Sequence, residues 1–186
     1  MSMIPAGSEV DYVVTYLEMC ENPNLSAPAL PPEVRLEHAL NPPVWMFFTL
    51  YDAVGRDYEW RDKHGEDPAE VASFVQDPKV EMWVAYAHGW PQGFFMLDFR
   101  EQGTCDLAYF GMVPEAVGKG IGGRLLNTAL AKGWNGAGVE RMTVNTCTLD
   151  HPRALALYQR AGFVPMRSED LSRILTRDRD PARLPD

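Results

Sequence analysis

The sequence predicts a single α/β (α+β) domain, and three observations favour that class. The 186 residues are the size of one domain, and the 46% that are hydrophobic suffice for a sizeable core. Three strand-like segments follow one another between residues 80 and 113. After Gly123 the apolar spacing changes to that of a helix. We predict one domain over residues 1–176 and a frayed tail over residues 177–186, which has little to bury.

The N-terminal third predicts two strands and two helices. Residues 9–19 alternate loosely and are rich in Val and Tyr, which indicates a strand. A connection up to residue 33 follows, and its prolines exclude a helix: Pro23, Pro28, Pro31 and Pro32. Residues 34–40 alternate as a second strand, and residues 41–54 form a helix that opens on two prolines. Asp67 caps a short helix that runs to residue 76.

The remainder of the chain predicts strands interrupted by two helices. An antiparallel meander is predicted over residues 80–87, 92–100 and 104–113. The leucines after Gly123 indicate a helix to Trp134, and residues 140–148 are again a strand. A helix over residues 153–161 ends at Gly162, a residue suited to the left-handed position after a helix. Residues 163–166 and 171–176 are predicted as a last pair of strands.

Charge and cysteine content exclude several classes of partner. The net charge of −9 argues against sequence-independent binding to nucleic acid. No apolar run is long enough to span a membrane. Residues 115–160 nevertheless carry six bases against three acids, which suits a small phosphorylated ligand. The N-terminus lacks the pattern of a secretory signal, and three scattered cysteines form no disulfide framework. We therefore expect a reduced, cytoplasmic protein.

A glycine cluster between a predicted strand and helix carries the clearest functional signal. Glycines let a ligand approach the backbone, and the first N–H groups of a helix have no partner within it. Together with the helix dipole they form a site for an anion. Two cations stand at the same point, and the segment reads Gly118, Lys119, Gly120, Ile121, Gly122, Gly123 and Arg124. The alternative is a turn that only lets a helix pack close to a sheet.

Two familiar phosphate motifs fit this cluster poorly. A P-loop requires Ser or Thr after its lysine, but Gly120 follows Lys119. Gly118, Gly120 and Gly123 do match the spacing of a dinucleotide fingerprint. However, the acid expected on the ribose is missing from the end of the next strand, and only 63 residues remain for the rest of such a sheet. A nicotinamide oxidoreductase therefore ranks third among the hypotheses for function, after the two that are given below.

The order of two sequence blocks resembles the GNAT-type N-acetyltransferase superfamily. Residues 113–126 resemble its pyrophosphate motif, Gln/Arg-x-x-Gly-x-Gly/Ala, with Val117 where Gln or Arg is usual. Residues 151–163 resemble its Asn-x-x-Ala-x-x-Leu-Tyr-x-x-x-Gly-Phe block, with His151 in place of Asn. Val117 removes a side-chain donor but no backbone one, so the phosphate site should survive. The resemblance is specific over roughly residues 104–166.

The resemblance implies a GNAT-like mixed central sheet, flanked by helices, whose fourth and fifth strands splay apart. It also implies acetyl-CoA as donor, and direct attack by the primary amine of a small molecule or peptide in a ternary complex. Backbone N–H groups over residues 118–124 would hold the pyrophosphate, and main-chain groups near Met112 and Val113 would pair with the pantetheine arm. A backbone N–H near Met112 is also expected to stabilise the oxyanion.

The resemblance also assigns a general acid and leaves the base open. Tyr158 matches the position whose phenol protonates the leaving thiol. Asp106, an acid inside the strand leading to the glycines, is the candidate base or amine anchor; alternation places it on one face with Ala108 and Phe110. Asn145 and His151 are expected to contact cofactor or substrate, although His151 also suits a helix cap.

Three further expectations concern metals, aromatic residues and alternatives. The four histidines have no ligand spacing, so we predict no metal, and Cys105 and Cys147 are read as small apolar residues. Aromatic side chains suited to an acceptor pocket or to the core are Trp45, Phe47, Phe48, Tyr51, Tyr58 and Trp60. A homodimer is compatible with the sequence. The alternative to an enzyme is a non-catalytic acyl-CoA-binding or interaction module.

Overall fold

The computed structural model describes residues 3–24 and 29–180. Its strands are β1 (Glu9–Met19), β2 (Arg35–Ala39), β3 (Val80–Ala87), β4 (Trp90–Asp98), β5 (Thr104–Met112), β6 (Arg141–Cys147) and β7 (Val164–Ile174). Its helices are α1 (Val44–Gly55), α2 (Asp62–Gly65), α3 (Pro68–Val75), α4 (Ile121–Trp134) and α5 (Ala154–Ala161). The predicted α/β domain is confirmed; α2 and two short 3-10 turns, at residues 56–58 and 114–116, were not predicted.

One mixed sheet organises the domain. Its seven strands lie in the order β2-β3-β4-β5-β6-β1-β7, and every neighbouring pair is antiparallel except β5 and β6. A parallel pair needs a crossover, and α4 supplies it between these two strands. The mixed, helix-flanked sheet expected from the sequence is therefore present.

The two parallel strands diverge soon after they meet. They pair at only three positions, Thr104 with Arg141, Cys105 with Met142 and Asp106 with Thr143. β5 then continues to Met112 and β6 to Cys147 without further pairing between them. The splay expected from the sequence is thus present, but it falls between the fifth and sixth strands in chain order rather than between the fourth and fifth.

A β-bulge in β5 changes which side chains share a face. Leu107 lies opposite Leu97 and Tyr109 opposite Met96, so Ala108 has no partner of its own across the pair. Leu107 and Phe110 consequently pack into one core, whereas Ala108 packs into the other. The prediction that Asp106, Ala108 and Phe110 share one face is therefore wrong for Phe110.

Two apolar cores cover the two faces of the sheet. One contains Leu125 and Leu130 of α4 and Tyr158 of α5, and the other contains Phe47 and Val71 of α1 and α3. Helix α3 begins as predicted, because the Asp67 side chain accepts a hydrogen bond from the Ala69 N–H at 2.7 Å. Packing in these two cores therefore holds α4 and α5 on one face of the sheet and α1 and α3 on the other.

The C-terminal segment differs from its prediction in two respects. β7 is one strand of eleven residues rather than two short ones, because it pairs along β1 from Glu9 to Glu18. The frayed tail is wrong as far as Arg179, whose backbone exchanges two 2.8 Å hydrogen bonds with Ile4 and whose side chain is 7% exposed. Residues 181–186 and Pro28 lie outside the described residues.

No helix among the described residues combines the length and the apolar character needed to cross a bilayer.

Candidate active site

A cleft of about 730 Å³ opens where β5 and β6 diverge. Its walls come from β1, β5, β6 and α5, from residues 58–60, and from the turn before α4. Since the missing pairing leaves main-chain groups of both strands without a β-partner on the inner side, the cleft combines backbone polar groups with apolar side chains. An extended, partly apolar ligand fits such a space.

The glycine turn (residues 118–123) forms one end of the cleft, where Gly118, Gly120, Gly122 and Gly123 all line it. Gly118 and Gly120 have φ of +81° and +75°, a conformation that glycine adopts without strain. Gly120 is the N-cap of α4, so helix geometry leaves the N–H groups of residues 120–123 without an intrahelical acceptor. The positive end of α4 therefore faces the cleft.

The other residues predicted at this end do not place their side chains in the cleft. Lys119 is exposed and its Nζ lies 5.6 Å from the Trp90 ring centroid, while Arg124 Nη1 donates to the Ala29 carbonyl at 2.6 Å. Ile121 is buried in the core. Arg124 differs in its backbone as well, because its N–H is the first that the Gly120 carbonyl can accept in the helix.

Met112 and Val113 also differ in whether they line the cleft. Met112 lines the cleft, but Val113 is buried in the core beneath α1. The Val113 N–H donates to the Gln92 carbonyl at 3.0 Å, and its carbonyl accepts from Ala116 at 2.9 Å. The Val113 N–H is thus occupied within the fold, so the pairing of that group with a ligand is not supported.

Tyr158 lies in the wall of the cleft, on α5. Its side chain is 6% exposed and packs against Phe110 and Phe163, with ring centroids 6.5 Å and 6.0 Å away. Burial raises the pKa of the Tyr158 phenol above its ordinary value, and the negative charge of Asp150 adds to that shift. The phenol is therefore protonated at neutral pH and suited to donate a proton within the cleft.

Asn145 and His151 also line the cleft. Asn145 is exposed on β6. His151 Nδ1 accepts a hydrogen bond from the Arg153 N–H at 3.1 Å, which is the capping role considered from the sequence. Burial, with a contribution from Arg153, lowers the pKa of His151, so the ring is neutral at neutral pH.

Asp106 does not reach the cleft. It lines a separate surface depression together with Asp98, Arg100 and Thr143, and its carboxylate accepts a hydrogen bond from the Thr143 hydroxyl at 2.5 Å. It stands where β5 and β6 still pair, ahead of the splay and of the bulge at Ala108. The structure therefore separates Asp106 from Tyr158, and a role for Asp106 as base or amine anchor is not supported.

We expect Asp106→Asn to stabilise the protein at neutral pH without altering its activity. Burial raises the pKa of Asp106, despite the opposing Thr143 hydrogen bond. The folded state therefore binds the proton more tightly than the unfolded chain, and stability falls as pH rises from the ordinary pKa of 3.8 to the raised value. Urea unfolding should show the gain at pH 7 and its disappearance near pH 3.5. Equal stability at pH 7 would contradict the assignment, as would lost activity.

Asp150 organises the floor of the cleft and was not singled out from the sequence. Its Oδ1 accepts from Trp60 Nε1 at 3.0 Å, and its Oδ2 accepts from the Thr146 hydroxyl and the Cys147 N–H at 2.8 and 2.9 Å. Three donors thus hold this carboxylate between β6 and the segment after α1. No pattern in the sequence brings Trp60 to a residue 90 positions later.

Glu59 is the second cleft residue that sequence reasoning missed. It is 3% exposed, it has φ of +61°, and its Oε2 is buried with no hydrogen-bond partner among the described residues. Arg173 of β7 holds the Glu59 backbone, donating to its carbonyl at 2.5 Å, while its other nitrogen pairs with Asp62 at 2.6 Å. A lone glutamate between two aromatic residues gives no local signal of such a position.

The aromatic residues divide between the core and the cleft. Tyr51, Tyr58 and Trp60 line the cleft, whereas Phe47 is fully buried in the core and Trp45 is 69% exposed. Trp60 packs on Tyr51 and on Tyr109, with ring centroids 5.5 Å away in both cases, whereas Tyr58 packs against the His151 ring at 6.1 Å. Three of the six aromatic residues proposed for an acceptor pocket therefore lie on the cleft wall.

The cysteines remain thiols. All three are free, and burial raises the pKa of Cys147, which lines the cleft, to about 11. Burial also raises the pKa of Cys105 in the core. Neither sulfur is an effective nucleophile at neutral pH, since the thiolate is the reactive form.

The chain belongs to the acetyltransferase (GNAT) family, because the model of that family matches residues 47–163, more than half of the sequence. It is similar in fold to a GCN5-related N-acetyltransferase from Sphaerobacter thermophilus, with a TM-score of 0.59 and 16% identity over 94% of this chain and 53% of that one. A GCN5-related N-acetyltransferase from Kribbella flavida gives 0.57 and 15%, over 97% and 60%.

A tandem GNAT protein from the clavulanic acid biosynthesis pathway gives a TM-score of 0.61 at 13% identity, over 91% of this chain and 55% of that one. The chain therefore spans little more than half the length of these three structures. No curated protein matches the sequence. At these identities the structural likenesses establish the fold.

Proposed function

We propose that this protein is an N-acetyltransferase that uses acetyl-CoA as a co-substrate and transfers its acetyl group to a primary amine in a ternary complex. Family membership supports acetyl transfer in general. The observation that carries the finer proposal is the cleft itself, which joins the free N–H groups at the start of α4 to the buried Tyr158 phenol. A phosphate-bearing thioester matches both ends.

The glycine turn would hold the pyrophosphate of the coenzyme. Residues 120–123 offer N–H groups and the positive end of α4, and Gly118 and Gly120 take φ values that suit glycine. The pantetheine arm would extend between the splayed strands, beside Met112 on one side and Asn145 on the other. Val117, in place of a side-chain donor, leaves this backbone site intact.

Tyr158 would act as the general acid. The neutral amine attacks the thioester carbonyl, a C–N bond forms, and the C–S bond breaks to release a thiolate. The Tyr158 phenol is protonated at neutral pH, since even the ordinary tyrosine pKa of 10.0 lies well above 7, and it can donate a proton to the leaving sulfur. The three free cysteines fit the reducing, cytoplasmic compartment expected from the sequence.

Thiol release in the presence of an amine panel is the experiment that tests this function. We expect acetyl-CoA to stabilise the fold, by about 2.7 kcal/mol at a hundred times its dissociation constant, and an amine to trigger release of coenzyme thiol. Stabilisation without thiol release from any amine would indicate an acyl-CoA-binding module instead. Stabilisation by NAD(H) but not by acetyl-CoA would indicate a nicotinamide enzyme.

A further inference from the structure

Glu59 combines burial with an unsatisfied carboxylate inside the cleft. The residue lines the cleft and is 3% exposed, yet its Oε2 accepts no hydrogen bond from the described residues. A buried carboxylate without a partner is costly, so such a group persists where a ligand supplies the missing partner. Its left-handed backbone, with φ of +61°, is a second cost at the same residue.

The other carboxylates that line the cleft already have partners. Asp62 pairs with Arg173 at 2.6 Å, and Asp150 accepts three hydrogen bonds, from Trp60, Thr146 and Cys147. Arg173 reaches Glu59 only at its backbone carbonyl. Among the described residues that line the cleft, Glu59 is therefore the carboxylate left for an incoming cation.

The surroundings of Glu59 are aromatic. Tyr58 and Trp60 flank it in the chain and line the cleft, and Tyr12 lies under Arg173, whose guanidinium is 5.1 Å from the ring centroid. Three arginines also line the cleft, Arg153, Arg160 and Arg173. A single unpaired carboxylate among aromatic rings matches a ligand with one positive charge and an apolar or aromatic substituent. The nearby arginines disfavour a ligand with several positive charges.

We infer that Glu59 binds the ammonium group of the acceptor and that the acceptor is a monoamine with an aromatic or apolar substituent. This rests on the proposed function. Glu59 takes one proton from the ammonium, and the neutral nitrogen forms its C–N bond to the acetyl carbon as the C–S bond breaks. The sulfur takes the Tyr158 proton, the surplus proton of the new amide returns to the Tyr158 phenolate, and Glu59 releases its proton to water.

The test compares Glu59→Gln with Asp57→Asn, which removes an equal charge from an exposed residue of the same turn that lies outside the cleft lining. With phenethylamine as acceptor, we expect Glu59→Gln to lower kcat/KM at least roughly ten- to a hundredfold, both by raising the KM for the amine and by lowering kcat. The KM for acetyl-CoA and its thermal shift should not change, and Asp57→Asn should match the wild type. A wild-type KM for phenethylamine in Glu59→Gln would overturn the inference.

A binding measurement on the wild type keeps the inference independent of turnover and of the variant's folding. In the presence of coenzyme A, isothermal titration should detect phenethylamine and should detect no binding of 2-phenylethanol, its neutral analogue. Equal binding of the two would overturn the anchor. Acetylation of spermidine or kanamycin in preference to phenethylamine would overturn the substrate class. If no amine is acetylated while phenethylamine still binds through Glu59, the proposed catalysis fails and the anchor stands.

Discussion

Gly123→Asp is expected to abolish stabilisation by acetyl-CoA while the free protein melts at the wild-type temperature or above. Gly123 lies in the first turn of α4 and lines the cleft, and a Cβ there meets no atom within 4 Å. Replacing a helical glycine gains about 0.5–1 kcal/mol, and an acid suits this end of the helix dipole. Against a bound diphosphate, one like charge at about 4 Å costs about 4 kcal/mol, or roughly a thousandfold in affinity.

The matched control is Gly123→Asn, which has the same shape without the charge. Differential scanning fluorimetry of the three proteins with and without acetyl-CoA gives the comparison. Gly123→Asn should retain more of the coenzyme shift than Gly123→Asp, since it adds the same bulk to the cleft without the charge repulsion. A full coenzyme shift in Gly123→Asp would mean that the phosphates bind away from the glycine turn.

Tyr158→Phe is expected to slow thiol release by roughly 10²- to 10⁴-fold, the usual contribution of a positioned general acid. The Tyr158 side chain packs against Phe110 and Phe163, and phenylalanine keeps those ring contacts. The unfolding temperature and the coenzyme shift should therefore stay near those of the wild type. Steady-state thiol release with a fixed amine and acetyl-CoA measures the loss.

Tyr109→Phe serves as the control for this change. Tyr109 is also a tyrosine of the cleft wall whose pKa is raised by burial, but it belongs to the aromatic cluster with Tyr51 and Trp60. We expect it to keep its rate. If Tyr158→Phe also keeps the wild-type rate, another group protonates the sulfur.

The parts of the site that depend on local backbone geometry could be predicted from the sequence. Glycines between a strand and a helix indicate left-handed turns and free helix N–H groups, and the structure has both, at Gly118 and Gly120. The spacing that places Tyr158 on a helix ended by Gly162 is local in the same sense, and Gly162 has φ of +110°. Such features survive because few distant residues influence them.

The predictions that failed concern features that depend on strand pairing and packing between residues far apart in the chain. Alternation places Asp106 with Phe110, but the unpaired Ala108 reverses the faces, and a bulge is set by the partner strand β4. Val113 has the right place in the chain, but its N–H is used by Gln92. Neither the bulge at Ala108 nor the hydrogen bond from Val113 to Gln92 can be predicted from the local sequence alone.

Glu59 and Asp150 were missed for a related reason. Each has a partner from a segment far away in the chain, since Arg173 holds the Glu59 carbonyl and Trp60 reaches Asp150. Neither acid stands in a motif, and each acquires its surroundings only when β1, β6 and β7 close around the segment after α1. Candidate bases in this family of folds are therefore better sought in the structure than in the sequence.

A crystal structure of the protein with coenzyme A bound is the most direct measurement. We expect the diphosphate oxygens within hydrogen-bond distance of the N–H groups of residues 120–123, and the thiol end between the diverging strands on the side of Tyr158. Phosphates held elsewhere on the surface, or a cleft that stays empty at saturating coenzyme, would contradict the assignment of this site.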